Sequence, residues 1–323
     1  MDSDLFPCTW GTFATTCTLI HSLPPGCQGA TRDIAEAYRT IPLHPSQWPA
    51  LVVRIGENPP TFTVDTALCF GYGPSAGTYG SLRDVSLDIM RAAGIRPIIA
   101  WVDNHLFIRL PCNRIDEYNV THSQQATAIQ ANSSPLQDGG QIWFKGQCLA
   151  DGTHEEFAED CQFPIQDMAT TSSFAFATEH INFRSDQLGI PWEPTKDTPF
   201  TSKPTFMGFE WDLENKTVAL THGKRNKYLY AIMEWHKSAK HTLEDMQKLH
   251  GRLLHASLTI PEGSAYLTSL QTMLGIFGSN PFMPHTPPRG LTADLQWWSH
   301  ALSSSPLLVG VMNRLLWYIY LLT

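Results

Sequence analysis

The sequence predicts an α+β fold, and three observations predict it. Short runs of alternating or wholly apolar residues pair across turn residues through the first two-thirds of the chain, the pattern of antiparallel hairpins. From Lys224 the apolar period changes to helical and stays so to Leu302. Between them, residues 112–175 are polar, acidic and rich in Gln, Ser and Thr, a long insertion that reads as mobile.

Taken in order, residues 1–30 are rich in Thr, Pro and Gly, with Pro24-Pro25-Gly26 marking a turn. Asp33-Ile-Ala-Glu-Ala-Tyr-Arg39 leads into the extended run Thr40 to Pro45. Leu51–Ile55 and Phe62–Thr66 alternate apolar with polar around Asn58-Pro59-Pro60, a first hairpin. Gly71, Gly73, Pro74 and Gly77 form a flexible loop before a helix over Ser81–Ala93, which places Leu82, Val85, Ile89 and Met90 on one face. Ile98–Val102 and His105–Leu110 are two apolar strands separated only by Asp103 and Asn104. Asp and Asn tolerate the positive φ of a two-residue turn, so an acid is fixed at a rigid tip.

A second hairpin follows from Thr205–Leu213 and Thr217–Leu220, joined at Asn215-Lys216. In the helical part, Leu229, Ile232, Met233 and His236 share a face. Thr242 caps the next helix with Asp245 three residues on, in a capping-box arrangement. Leu243, Met246, Leu249, Leu253 and Leu254 line its apolar side, and Pro261-Glu-Gly263 ends it. Short helices over Ala265–Leu274 and Leu291–Leu302 complete the pattern.

A chain of 323 residues, 42% hydrophobic, can bury a sizeable core, which excludes a disordered tail. Seven cysteines form no C-x-x-C pair and their number is odd, so neither a disulfide scaffold nor a structural zinc site is expected. The start lacks the basic and apolar regions of a signal peptide. Leu307 to Leu322 is apolar but short and is interrupted by Asn313 and Arg314. It reads as a helix awaiting a protein partner and not as a membrane span. The expected location is cytoplasmic or nuclear. The formal net charge is −8, but its distribution matters more. Residues 112–197 hold 13 acids against 4 bases, whereas residues 222–255 hold 7 bases against 3 acids and carry five histidines. The sign of the whole chain therefore leaves room for a local phosphate-binding surface.

Asp33, a glycine loop from Gly71 and Asp103 in a strand–turn–strand follow the order that a two-metal phosphoryl-transfer site requires. Such sites hold two Mg²⁺ ions roughly 3.5–4 Å apart, and Mg²⁺ prefers carboxylate oxygens. These residues resemble the reverse transcriptase domain of LTR- or DIRS-type retrotransposons. Asp33-Ile-Ala-Glu-Ala-Tyr38 with Ile41-Pro-Leu43 looks like its first palm motif, Phe70-Gly-Tyr-Gly-Pro-Ser-Ala-Gly77 like the second and Trp101-Val-Asp-Asn104 like the third. The segment ending in Lys196 is similar to the fourth motif, Phe206-Met-Gly-Phe209 to the primer-gripping fifth, and Leu249–Ala256 to the thumb.

The resemblance implies a right-hand polymerase: an antiparallel palm sheet with flanking helices, partial fingers and a helical thumb. Residues 1–32 would be a fingers remnant or lead-in, and 33–111 the palm with a fingers hairpin at about 45–69. The insertion 112–175 comes next, then palm continuation and primer-grip hairpin over 176–221. Thumb and connection would occupy 222–302, and a truncated apolar tail 303–323. Asp33 and Asp103 would bind metal, helped by the carbonyl of Ile34, with Asn104 beside them. Tyr38 would exclude a 2′-hydroxyl, Phe70 and Gly71 would lie against the nucleotide, and Lys196 near its triphosphate. Met207 and Gly208 would place the primer end. Lys224, Arg225, Lys227 and Arg252 would bind backbone phosphates. The implied cofactor is a pair of Mg²⁺ ions, and the implied partners are an RNA or DNA template-primer, dNTPs and a further chain supplying fingers or ribonuclease H.

Two departures shape the expected function. The family's third motif ends in two aspartates, and here the second is Asn104, which removes a negative charge. The basic fingers strands that the family normally carries upstream of Asp33 are expected to be missing, and no ribonuclease H domain is expected after the thumb. Two readings therefore stand: RNA-directed DNA synthesis, and a silent retroelement remnant that binds nucleic acid through its thumb. Plainer readings accompany the residues. Asp33 suits a helix N-cap, Asp103-Asn104 suits turn chemistry alone, Tyr38 and Phe70 suit core packing, and Lys196 suits the surface. Asp84 and Asp88 read as a solvated helix face, and Trp297-Trp298 as packing. His236, His241, His250 and His255 lack the spacing of a zinc site. The sequons at Asn119, Asn132 and Asn215 carry no weight without a secretion signal.

Overall fold

The computed structural model describes residues 10, 13–132, 134–138, 141–148, 154–157, 164–168, 173–277, 281–304 and 309–311. It is a mixed α and β fold built on antiparallel sheets. The Thr- and Pro-rich lead-in contains a helix that its weak periodicity does not announce, α1 (Phe13–Ser22). Its face of Phe13, Thr16, Cys17, Leu19 and Ile20 is buried, and the Phe13 ring packs 4.9 Å from Phe209 and 5.1 Å from Trp211.

The sheet that positions the site has three strands: β1 (Gln28–Asp33), then, after the exposed hairpin β2 (Val52–Gly56) and β3 (Thr61–Val64) and the helix α2 (Ser75–Ala92), the pair β4 (Ile98–Trp101) and β5 (Asn104–Arg109). β5 lies in the middle, paired antiparallel with both neighbours. Its Leu106, Phe107 and Ile108 are all buried, as a central strand covered on both faces requires. The register sets Asp33 opposite Asn104 and Trp101 opposite Asn104. Because β5 claims Asn104 as a strand residue, the turn consists of Val102 and Asp103 and not of Asp103 and Asn104. Val102 carries the positive φ of 55°, an outlier for a β-branched residue.

α2 starts earlier than the pattern of Ser81–Ala93 predicts and buries a different face. Leu82, Val85 and Ile89 are exposed, while Tyr79, Arg83, Asp84, Leu87, Met90 and Arg91 are buried. Asp84, read from sequence as solvated, is 1% exposed and ion-paired to Arg83, whose guanidinium lies 4.5 Å from the Trp10 ring. A buried charge pair of neighbours gives no periodic signal. Asp88 is exposed and pairs with Arg91 at 3.0 Å.

The stretch read as an insertion carries regular structure: α3 (Ile115–Asn132) and a three-stranded antiparallel sheet of β6 (Ser134–Asp138), β7 (Gln141–Cys148) and β8 (His154–Phe157). Asn119 is engaged by both sides of its amide, accepting from the Ile165 amide at 2.8 Å and donating to its carbonyl at 2.9 Å. The chain then forms α4 (Thr178–Leu188), β9 (Thr205–Phe206), β10 (Phe209–Asp212) and β11 (Thr217–Leu220). The last two make the expected second hairpin.

The helical part follows the sequence with shifted faces. α5 (His222–Trp235) buries Tyr228, Ala231, Ile232 and Trp235 and leaves Met233 exposed. α6 (Leu243–Ser257) has the predicted capping box of Thr242 and Asp245, but Leu254 points outward. A 3₁₀ segment over Pro261–Leu267 precedes α7 (Thr268–Ile276), and α8 (Leu291–Ser303) buries Trp298. Of the apolar tail, Val309–Gly310 forms the short strand β12 against β11 and not a helix; the tail beyond residue 311 lies outside the described residues.

One continuous core joins α1–α4, the β4–β5 hairpin, β9–β11 and α5–α8. A second, small cluster of Ile34, Ala37 and Tyr79, with Trp10, Tyr38, Ile41, Val102, Ile190 and Trp192 against it, borders the Asp33 corner. Among the described residues no helix is long and apolar enough to cross a membrane.

Candidate functional site

Two places gather the residues singled out from the sequence. The first is the corner where β1 ends and the β4–β5 turn begins. Antiparallel pairing holds the two backbones together there: the Ile34 amide donates to the Asp103 carbonyl at 3.0 Å, and the Glu193 amide to the Asp33 carbonyl at 2.8 Å. Asn104 Nδ2 donates to Asp33 Oδ2 at 3.3 Å, and Lys196 Nζ donates to Asp33 Oδ1 at 2.6 Å. Burial, then the neighbouring Asp33 charge, pushes the Asp103 carboxyl above its ordinary range. His105, fully inside the sheet, faces the Asp103 carbonyl through Nδ1 at 3.0 Å, and burial lowers it to about 4, so it is neutral and Nδ1–H is the donor.

The walls of this corner are aromatic. Tyr38 packs edge-on against Phe70 at 4.9 Å and against Tyr79 at 5.2 Å. Phe70 is 82% exposed, so it is no core residue. Gly71 follows with φ +83°, and a Cβ built there would meet nothing within 4 Å. The backbone is therefore open to a ligand at that point. Tyr79 was not visible as a site residue: one aromatic on a helical face reads as core. Its ring is indeed buried, yet among the described residues its hydroxyl has no hydrogen-bond partner, and burial, then the Asp103 charge, pushes its pKa well above the ordinary phenol range.

The donor set suits a hard divalent cation. Asp33 and Asp103 carry carboxylate oxygens, and Asn104 Oδ1 is a buried acceptor without a partner among the described residues. The Ile34 side chain is buried in the small cluster, which leaves only its backbone for the corner. Among the described residues no three His, Cys, Asp or Glu side chains come together in a metal-holding group, so any cation here depends on this two-carboxylate, one-amide set.

The second place is the turn between β9 and β10, under the helices. Met207 and Gly208 both have positive φ, 55° and 81°. His255 of α6 reaches across to the Met207 carbonyl through Nε2 at 2.9 Å, accepts from the Tyr228 hydroxyl at Nδ1 at 3.0 Å, and stacks on Phe209 at 4.4 Å. Burial lowers its pKa, which fits this neutral tautomer. A Cβ on Gly208 would come within 2.8 Å of Lys224 Cε. Lys224, Met207 and Gly208 thus form one surface, with Lys227 and Arg252 in electrostatic reach of Lys224 and Tyr228. His255 and Tyr228 escaped the sequence because a histidine was weighed there only as a zinc ligand.

No protein family and no curated protein matches this sequence. Among the solved structures similar to it are three of foamy viral protease-reverse transcriptase. One, a dRH form with double-stranded DNA, has 14% identity and a TM-score of 0.49. A second, with an RNA/DNA hybrid, has 13% and 0.48, and a third, with dsDNA, 14% and 0.44. Each match covers 92% of this chain, but the chain spans only 38%, 30% and 46% of theirs. Likeness at this level assigns no residue a role.

One sequence candidate is engaged elsewhere. Arg225 does not face the Lys224 surface: its Nε and Nη2 donate to the Leu302 carbonyl at 3.1 and 2.7 Å, and Nη2 also to that of Ser304. It ties α5 to the end of α8, because the carbonyls at a helix C-terminus need donors. Of the histidines, His241 stacks on Trp235 at 3.4 Å.

Proposed function

We propose that this chain is a reverse-transcriptase-like nucleotidyltransferase domain, with a palm, fingers hairpin and thumb, that extends a primer on an RNA or DNA template. The register that sets Asp33 beside Asn104 and brings Asp103 within its electrostatic reach carries the reading. In it Asp33 and Asp103 hold Mg²⁺, with the Asn104 amide oxygen and the Ile34 carbonyl as further ligands. When bound, Mg²⁺ supplies charge neutralisation and activation of the attacking oxygen.

The remaining work belongs to the chain's own residues. Tyr38 and Phe70 bound the incoming nucleotide, and the Tyr38 ring occupies the side where a 2′-hydroxyl would sit. Gly71 lets the backbone approach the nucleotide closely. Lys196 binds a triphosphate oxygen. The Met207–Gly208 turn, braced by His255, fixes the primer end, which lowers the entropic part of the barrier. Lys224, Lys227 and Arg252 bind phosphates without reading sequence.

A second reading has its own support. Asn104 where a carboxylate is expected, and an ammonium already on Asp33, favour a domain that binds nucleic acid without catalysis. Primer extension on an RNA template, with Mg²⁺ and with Mn²⁺, separates the two. Incorporation that disappears in Asp33→Ala supports the polymerase. No incorporation in the wild type, together with salt-dependent binding that weakens in Arg252→Ala, supports the silent binder.

A further inference from the structure

Lys196 is brought to Asp33 by a built strap. Residues 191–201 run along the outer edge of β1, tied by bonds from Ala35 to Pro191 at 2.8 Å, from Thr198 to Thr31 at 2.9 Å, and between Gly29 and Thr201 in both directions at 2.8 and 2.9 Å. Thr198 Oγ1 adds a bond from the Thr31 amide at 2.9 Å, and Arg32 pairs with Asp197 at 3.5 Å. Within the strap a turn closed by the Lys196 amide on the Glu193 carbonyl at 3.0 Å lifts Lys196 over the corner.

The two partners are unlike in freedom. The Lys196 side chain is 58% exposed, whereas that of Asp33 is 10% exposed and fixed at the end of its strand. The lysine can swing into solvent without opening any core, and the carboxylate cannot follow. Its charged surroundings are Asp33, Asp103 and Glu193, all acidic. An ammonium on Asp33 therefore occupies the oxygen that a divalent cation would need, and the two repel each other across a shared ligand.

Building on the function proposed above, we infer that Lys196 is an internal counter-ion of the Asp33–Asp103 corner, which a divalent cation displaces on binding and whose departure therefore sets the site's cation affinity. Lys196 holds the carboxylates in the cation-free state and is released toward solvent, and so toward an incoming phosphate, when the cation arrives.

Mn²⁺ alone, titrated into the full chain and followed by the paramagnetic resonance signal of the free ion, tests this. Lys196→Gln should bind Mn²⁺ about tenfold more tightly than the wild type, and Lys196→Arg should stay within about twofold of it. Asp33→Asn should lose the binding. Mass-spectrometric acetylation of the native chain gives an independent readout, in which Lys196 should react faster once Mg²⁺ is added. Equal or weaker Mn²⁺ binding by Lys196→Gln, with Asp33-dependent binding intact in the wild type, overturns the counter-ion role and leaves the proposed site standing. No Asp33-dependent Mn²⁺ binding in either protein removes the site and the inference together.

Discussion

Asp33 and Asn104 face each other across the β1–β5 ladder, and the Asn104 amide donates to Asp33 Oδ2 at 3.3 Å while its own Oδ1 is buried without a partner among the described residues. In the proposed reading the corner holds two carboxylates, Asp33 and Asp103, and a carboxylate at position 104 would add charge without changing the backbone.

Asn104→Asp should therefore trade stability for cation affinity. Without divalent ions its melting temperature falls, because a third acid crowds Asp33 and Asp103. Added Mg²⁺ should raise it more than it raises the wild type, as binding to the native state alone requires. Thermal unfolding with and without millimolar-range Mg²⁺ checks both signs. Equal Mg²⁺ responses would count against Asn104 lying in the cation's reach.

Gly208→Ala should destabilise the chain and disturb Lys224. The left-handed φ costs a side chain about 1–2 kcal/mol, and the added carbon would collide with Lys224 Cε. Urea unfolding gives the stability loss. Nucleic-acid affinity should fall with it, since Lys224 must move away from the turn.

The His255 bridge should behave as a unit. Removing the imidazole in His255→Phe leaves the Tyr228 hydroxyl and the Met207 carbonyl without partners, a loss of about 1–3 kcal/mol. In a double-mutant cycle with Tyr228→Phe, the two losses should be non-additive by about 0.5 kcal/mol or more. Strict additivity would show that the Tyr228–His255 bond contributes nothing of its own.

Asp212 gives a pH signature. It accepts from the amides of Glu214 and Asn215, from Asn215 Nδ2 and from Lys203; burial pushes its pKa up, but the Asn215 bonds and the Lys203 ammonium outweigh it and hold the carboxyl at about 2. A carboxyl depressed in the folded state stabilises above its unfolded pKa and loses that contribution as the pH falls through its folded one. The wild type should exceed Asp212→Asn by about 2 kcal/mol near neutral pH. The difference should shrink between about pH 4 and pH 2. Urea midpoints across that range measure it.

Much of this architecture is legible in the sequence, for physical reasons. The hairpins at 98–110 and 205–220 are visible because short apolar or alternating runs coincide with turn residues. The Thr242 cap is visible because its signal is local. The turn at Val102 is not, since register is fixed by β1, which lies some seventy residues away in sequence. The buried face of α2 is also hidden, because Arg83 and Asp84 satisfy each other there and leave the apolar Leu82, Val85 and Ile89 outside. Of the candidate site, Asp33, Tyr38, Phe70, Asp103, Asn104 and Lys196 meet at one corner, while Arg225 is taken by the carbonyls that end α8. Tyr79, Tyr228 and His255 matter through a single polar atom each, which periodicity cannot weigh.

The most direct measurement is anomalous diffraction at the manganese edge from crystals grown with Mn²⁺. A peak within about 2–2.5 Å of oxygens from both Asp33 and Asp103, with Lys196 swung off Asp33, is the predicted result. Two ordered carboxylates with no peak between them, and Lys196 still seated on Asp33, would contradict it.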